Sequence, residues 1–114
     1  MAKFLVQYLA PHTVVDEWMK TPPEKRNVEE EKMMSEWKKW TSEHASMFAD
    51  KGAGVGKPKR VDANGTSDAR NDIMLYAIVN ADSLDAATTP FRNHPHLAIP
   101  QASIEVMELK SHGM

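Results

Sequence analysis

A single α+β domain with elements in the order β-α-β-β-α-β is what this chain of 114 residues predicts. Three observations carry that expectation. Apolar alternating runs open and close the chain, a third and stronger β-pattern (DIMLYAIVNA) lies in its second half, and a long stripe of Met, Trp and His at helical spacing separates the first strand from the rest.

Lys3 to Ala10 places Phe4, Val6 and Tyr8 on one face and Leu5, Gln7 and Leu9 on the other, a run apolar on both sides that suits a strand covered on both faces. Pro11 ends it. Thr13 to Lys20 forms a short helical turn with Thr13 as N-cap. Thr21-Pro22-Pro23-Glu24 starts the main helix, a Thr cap followed by proline and an acid. The helix is expected to reach Asp50. Met33, Trp37, Trp40, His44 and Met47 share one stripe, with Met34 and Phe48 beside it, and Gly52 and Gly54 stop it. Val55 to Asp62 reads as a weak basic strand that Pro58 confines to an edge or a bulge. Ala63-Asn64-Gly65 supplies a turn, and Asp72 to Ala81 is the central strand. Asp82 or Ser83 caps a second helix to about Asn93, which Pro95 terminates. Ala102 to Lys110 alternates Ile104 and Val106 with polar neighbours and makes the last strand.

This order is the ferredoxin-like arrangement, an antiparallel sheet with both helices on one face. Two copies stacking their open sheet faces would form a dimeric α+β barrel, a two-fold, self-complementary solution.

Composition narrows the function. A net charge of -2, from 14 basic and 16 acidic residues, offers no broad basic face for nucleic acid. The cluster Lys57-Pro58-Lys59-Arg60 reads as a solvated strand edge. With no cysteine, disulfides, thiolate nucleophiles and Cys-based metal centres are excluded. Apolar runs fall short of the ~20 residues of a membrane span. FLVQYLA, broken by Gln7, reads as a strand rather than a signal peptide, so a soluble cytoplasmic location is expected.

The candidate chemistry gathers in FRNHPHLAIPQASIEVMEL. His94 and His96 flank a proline and can project to the same side of an extended segment, where either could act as acid or base. The plainer reading makes His-Pro-His a stiff connection with an imidazole bonded to a backbone carbonyl. His-x-His joined by His12, His44 or an Asp would count three metal ligands, but that spacing is common and no third ligand stands out, so no metal is assigned. Asp72 could orient a histidine by accepting its second N–H, or could simply serve a turn. Trp40, His44, Tyr8 and Tyr76 are the candidate pocket residues, with plain core packing as the alternative.

The opening FLVQYLAP, the Trp-rich EEKMMSEWKKWTSEH, the segment ADSLDAA and the closing HPHLAIPQASIEVMEL resemble the YCII-related (DGPF-type) family, in that order and over nearly the whole chain. The resemblance implies a dimeric α+β barrel and, in some members, small enzymes that use a His and an Asp without metal or organic cofactor. The chain departs from the family where Asp-Gly-Pro-Phe is usual, reading Asp68-Ala69-Arg70-Asn71-Asp72. The expectation is a homodimer acting as a cofactor-free lyase or isomerase on a small unsaturated or aromatic-derived substrate. His94 would be its acid/base, with His96 or Asp72 orienting it. The competing readings are a non-catalytic ligand-binding or accessory dimer, and a cofactor-free monooxygenase.

Overall fold

The computed structural model describes residues 1–110. Four strands, β1 (Ala2–Leu9), β2 (Phe48–Gly54), β5 (Ile73–Ala81) and β6 (Ser103–Glu108), form one antiparallel sheet in the order β2-β5-β1-β6. β3 (Lys59–Asp62) and β4 (Gly65–Asp68) pair with each other as a separate hairpin. The helices are α1 (His12–Met19), α2 (Pro23–Glu43) and the short α3 (Leu84–Thr88). The α+β class is as expected, and the arrangement is compatible with a ferredoxin-like fold. No helix among the described residues is long and apolar enough to cross a membrane.

Strand alternation decides where the core lies. Phe4, Val6 and Tyr8 of β1 and Ala77, Val79 and Ala81 of β5 are all buried, and they cluster with Trp40, Ala87 and Phe91 from the helical layer. Burying these side chains drives the docking of α2 and the following segments on that face. The intervening residues, Leu5, Gln7, Leu9, Met74, Tyr76 and Ile78, are half-buried on the other face. The result is a slab of 45 × 44 × 20 Å. Its radius of gyration of 15.9 Å exceeds the about 13 Å of a compact chain of this length. One contribution to that spread is the hairpin, whose residues Lys59–Asp62 and Gly65–Asp68 are all exposed.

Several boundaries differ from the sequence expectation. The main helix ends at Glu43 rather than Asp50, and Met47 and Phe48 leave it through a 3-10 turn. The second strand of the sheet is therefore Phe48–Gly54, and the basic run expected to supply it forms the hairpin instead. Glycine 52 explains the misreading. With φ +73° it sits in the left-handed region, and a Cβ there would lie 1.7 Å from the Tyr76 carbonyl oxygen, so it permits close strand approach rather than stopping a helix.

The caps also differ. Neither Thr13 nor Thr21 caps its helix. The N-cap of α1 is Pro11, two residues before Thr13, and that of α2 is Pro22. The first backbone N–H of α1 is instead satisfied by Asp72 Oδ1 at 3.1 Å, from 60 residues away. Ser83 does cap α3, its Oγ accepting from the Ala86 N–H at 3.0 Å, and the helix gives way to a 3-10 turn over Thr89–Asn93.

Candidate functional site

One end of the sheet, where β1 finishes, β5 begins and β2 finishes, collects most of the residues singled out by sequence. Tyr8 closes β1 on the helical face. His94 and His96 return to it from the loop after α3. Proline shapes that loop: Pro90 is the second residue of one 3-10 turn, Pro95 starts the next, and His94 lies extended between them (φ -69°, ψ 138°).

Both imidazoles are buried, with His94 3 % and His96 1 % exposed. His96 Nε2–H donates to the Leu9 carbonyl at 2.8 Å, which ties the loop to β1 across 87 residues. His94 Nδ1 accepts from the His96 backbone N–H at 3.0 Å. That bond assigns the neutral proton of His94 to Nε2, which has no hydrogen-bond partner. The ring is packed among aromatic side chains: its centroid is 4.3 Å from Trp37 at 84°, 4.4 Å from Trp40 at 61° and 5.1 Å from Tyr8. Perpendicular packing of this kind lets an N–H lean on an aromatic face, a weak substitute for an acceptor.

The electrostatics follow from this burial. Loss of solvation pushes the His94 pKa down to about 4, and the neighbouring His96 and His44 add to the effect. His96 is lowered by the same burial, opposed by backbone bonding to Leu9 and Ser103. Burial also raises the Tyr8 phenol, which stays protonated. Near neutral pH the cluster is therefore uncharged.

Asp72 does not join it. Its carboxylate Oδ1 takes both the backbone N–H and Nδ1 of His12, the latter at 3.0 Å, on an exposed surface. These two bonds, the side-chain one first, hold the Asp72 carboxyl below the usual range. Expected as a partner of His94, Asp72 is thus the partner of His12. No sequence signal links positions 12 and 72, because the contact exists only once β1 and β5 have paired and Ala10 N–H has bonded to the Asp72 carbonyl at 2.9 Å. Next to this pair, Arg70 holds Asp16 at 3.0 Å and lowers its carboxyl.

The other expected pocket residues separate. Trp40 is core: its Nε1–H donates to the Pro90 carbonyl at 3.2 Å, and His44 stacks on it at 4.2 Å. His44 Nδ1–H donates to the Trp40 carbonyl at 2.8 Å and finishes α2. Tyr76 lies opposite Gln7 in the register, so its side chain belongs to the face away from Tyr8.

A pocket of about 250 Å³ opens between α2 and the β2–β5 edge, with Tyr8, Trp37, Phe48 and Leu75 as walls, Thr41 and Lys51 as polar lining, and Ala53, Gly54 and Tyr76 at its border. Tyr8 and Trp37 are shared: the rings that wall the pocket also cover His94. Phe48, expected on the helix, turns onto this wall because it starts β2, while Thr41 on α2 and Lys51 on β2 carry no sequence signal of their own. The run Asp50-Lys51-Gly52 after an aromatic residue was a usable signal for a bulged strand. Among the described residues, no three His, Asp or Glu side chains come together to hold a metal ion.

No protein-family model matches the sequence, and none of the curated proteins is detectably similar to it.

Proposed function

We propose that the chain is a YCII-like, dimeric α+β-barrel protein that binds a small unsaturated or aromatic-derived molecule, with His94 and His96 serving as structure rather than as acid and base. The observation that carries this reading is the use of the imidazole nitrogens. Two of the four are hydrogen-bonded to backbone, Nε2 of His96 to Leu9 and Nδ1 of His94 to the His96 N–H, and a third, Nε2 of His94, is buried without a partner. A general base needs hydrogen-bond reach to the proton it moves. The aromatic-walled pocket in front of those rings is the better place for a ligand.

The flat shape and the half-buried row on the open sheet face support pairing of two copies there. Leu5 lies between Ile78 and Met107 in the register, and Met107 is 40 % exposed. Sedimentation equilibrium is expected to give a dimer at micromolar concentration, and Leu5→Asp is expected to give a folded monomer. A wild-type monomer throughout that range removes the dimer from the proposal. For the ligand, a fragment screen read by amide shifts of Thr41, Ala53 and Leu75 is the direct test, and silence of all three sinks it.

A cofactor-free lyase or isomerase is the second reading, favoured by one observation. Asp72 fixes His12 with its proton on Nδ1, which leaves Nε2 as an acceptor with no partner among the described residues. Here His12 replaces His94 as the base. Once a substrate is found, turnover that survives His12→Gln excludes this role.

A further inference from the structure

Resting on the ligand-binding reading above, we propose that the pocket between α2 and the β2–β5 edge takes a small planar carboxylate, with Lys51 as its counter-ion and the hydroxyls of Tyr8 and Thr41 as its hydrogen-bond partners.

Size and shape limit the ligand first. An apolar cavity of about 150 Å³ holds one benzene ring, so about 250 Å³ accommodates a single ring or a short conjugated chain with one polar substituent. Tyr8 and Trp37 meet at 5.1 Å with a 45° tilt, and with Phe48 they present aromatic walls suited to a flat molecule. Thr41 is four residues beyond Trp37 on α2, hence on the same helical face.

Charge decides the substituent. Lys51 is the one ionised side chain in the lining, and no Asp or Glu joins it. Among the described residues no acid lies within ion-pair distance of Lys51. The adjacent acid, Asp50, has an oxygen engaged by the Gly52 N–H at 2.8 Å. A lysine that lines an aromatic-walled pocket with no acid in ion-pair reach favours an anion there, and a carboxylate accepts from its ammonium by charge-assisted hydrogen bonding. Tyr8, held protonated by burial, can only act there as a neutral hydroxyl.

The backbone independently marks the place where Lys51 sits. The pairing of β2 with β5 shifts twice, between Phe48 and Asp50 and between Asp50 and Ala53, so β2 carries extra residues where Lys51 sits. Such bulges redirect a side chain and occur beside binding sites. Glycine 52 makes this one possible, because its left-handed φ and its approach to Tyr76 exclude a side chain.

The test is an NMR titration of the full chain with benzoate, cinnamate and 2-furoate, against benzamide as the neutral isostere. The acids are expected to shift the amides of Thr41, Ala53, Gly54 and Leu75 and to bind at least about fivefold more tightly than benzamide. Lys51→Met should erase that preference and Lys51→Arg should keep it; Lys51 is exposed, so both variants are expected to fold. Tyr8→Phe should weaken all three acids. If acids and benzamide bind equally and Lys51→Met changes nothing, the carboxylate assignment is wrong while the pocket stands. If nothing shifts these amides, the pocket reading falls with it. Shifts confined to Lys57 and the Lys59 and Arg60 strand of the hairpin would be non-specific anion contact and would also overturn the assignment.

Discussion

His94 and His12 sit at the same end of one sheet, yet they live under opposite physical rules. His94 is enclosed by Tyr8, Trp37, Trp40 and Phe91, bonds only to backbone, and loses its charged form to desolvation. His12 lies at the surface, 3.0 Å from a carboxylate, where solvent screens the pair. The difference teaches that proximity to a proline-rich loop does not make a histidine reactive. Access does, together with a partner that fixes its tautomer.

The sharpest way to break this contrast is to remove the ring that ties the loop down. His96→Ala deletes a fully buried side chain and leaves the Leu9 carbonyl without its donor, and should cost about 3 kcal/mol or more in urea unfolding. His12→Ala removes an exposed ring and should shift the midpoint far less. Equal losses would mean that the buried cluster is not the structural element described above.

Next is acidity. The folded pKa of His94, about 4, lies below the ordinary value of 6.5. Between those pH values the unfolded chain binds a proton that the folded chain refuses. This contribution is therefore complete above pH 6.5 and is lost as pH falls towards 4, by about 3 kcal/mol at most. His96, lowered by burial as well, acts in the same direction. His94→Asn can keep an acceptor for the His96 N–H, as Asx turns do, but cannot titrate. Its unfolding curves at pH 7 and pH 4.5 should lie closer together than those of the wild type, and an unchanged slope would contradict the assignment.

A smaller and more selective effect is chemical. Diethyl pyrocarbonate, followed by peptide mass mapping, should modify His12 well before His94 or His96, because of these three rings His12 is the exposed one. Comparable rates would show that the loop opens readily.

The smallest effect concerns the turn that leads from the buried loop into β6. Ala102 N–H bonds to the Ile99 carbonyl, with Pro100 and then Gln101 at φ 62° between them. A left-handed third position is characteristic of a type II turn and favours glycine. Gln101→Gly should raise stability by about 0.5 kcal/mol, the relief of strain outweighing the added freedom of the unfolded chain.

Much of this molecule is written in local pattern. Alternation in FLVQYLA and DIMLYAIVNA and the spacing of Trp37 and Trp40 suffice to place β1, β5 and the middle of α2, and the Asp82-Ser83 pair before LDAA narrows the cap of α3 to two residues, since each depends on residues within a few positions of one another. Tertiary structure alone decided what those patterns leave open. Whether Phe48 continues a helix or starts a strand depended on β5 lying alongside it, with Gly52 fitting against Tyr76. Asp72 took His12 rather than His94, and His96 took Leu9, because a hydrogen bond depends on distance in space, and those partners lie 60 and 87 residues apart along the chain. Periodicity can assign a side chain to a face; the identity of its neighbour there is settled only when the elements dock.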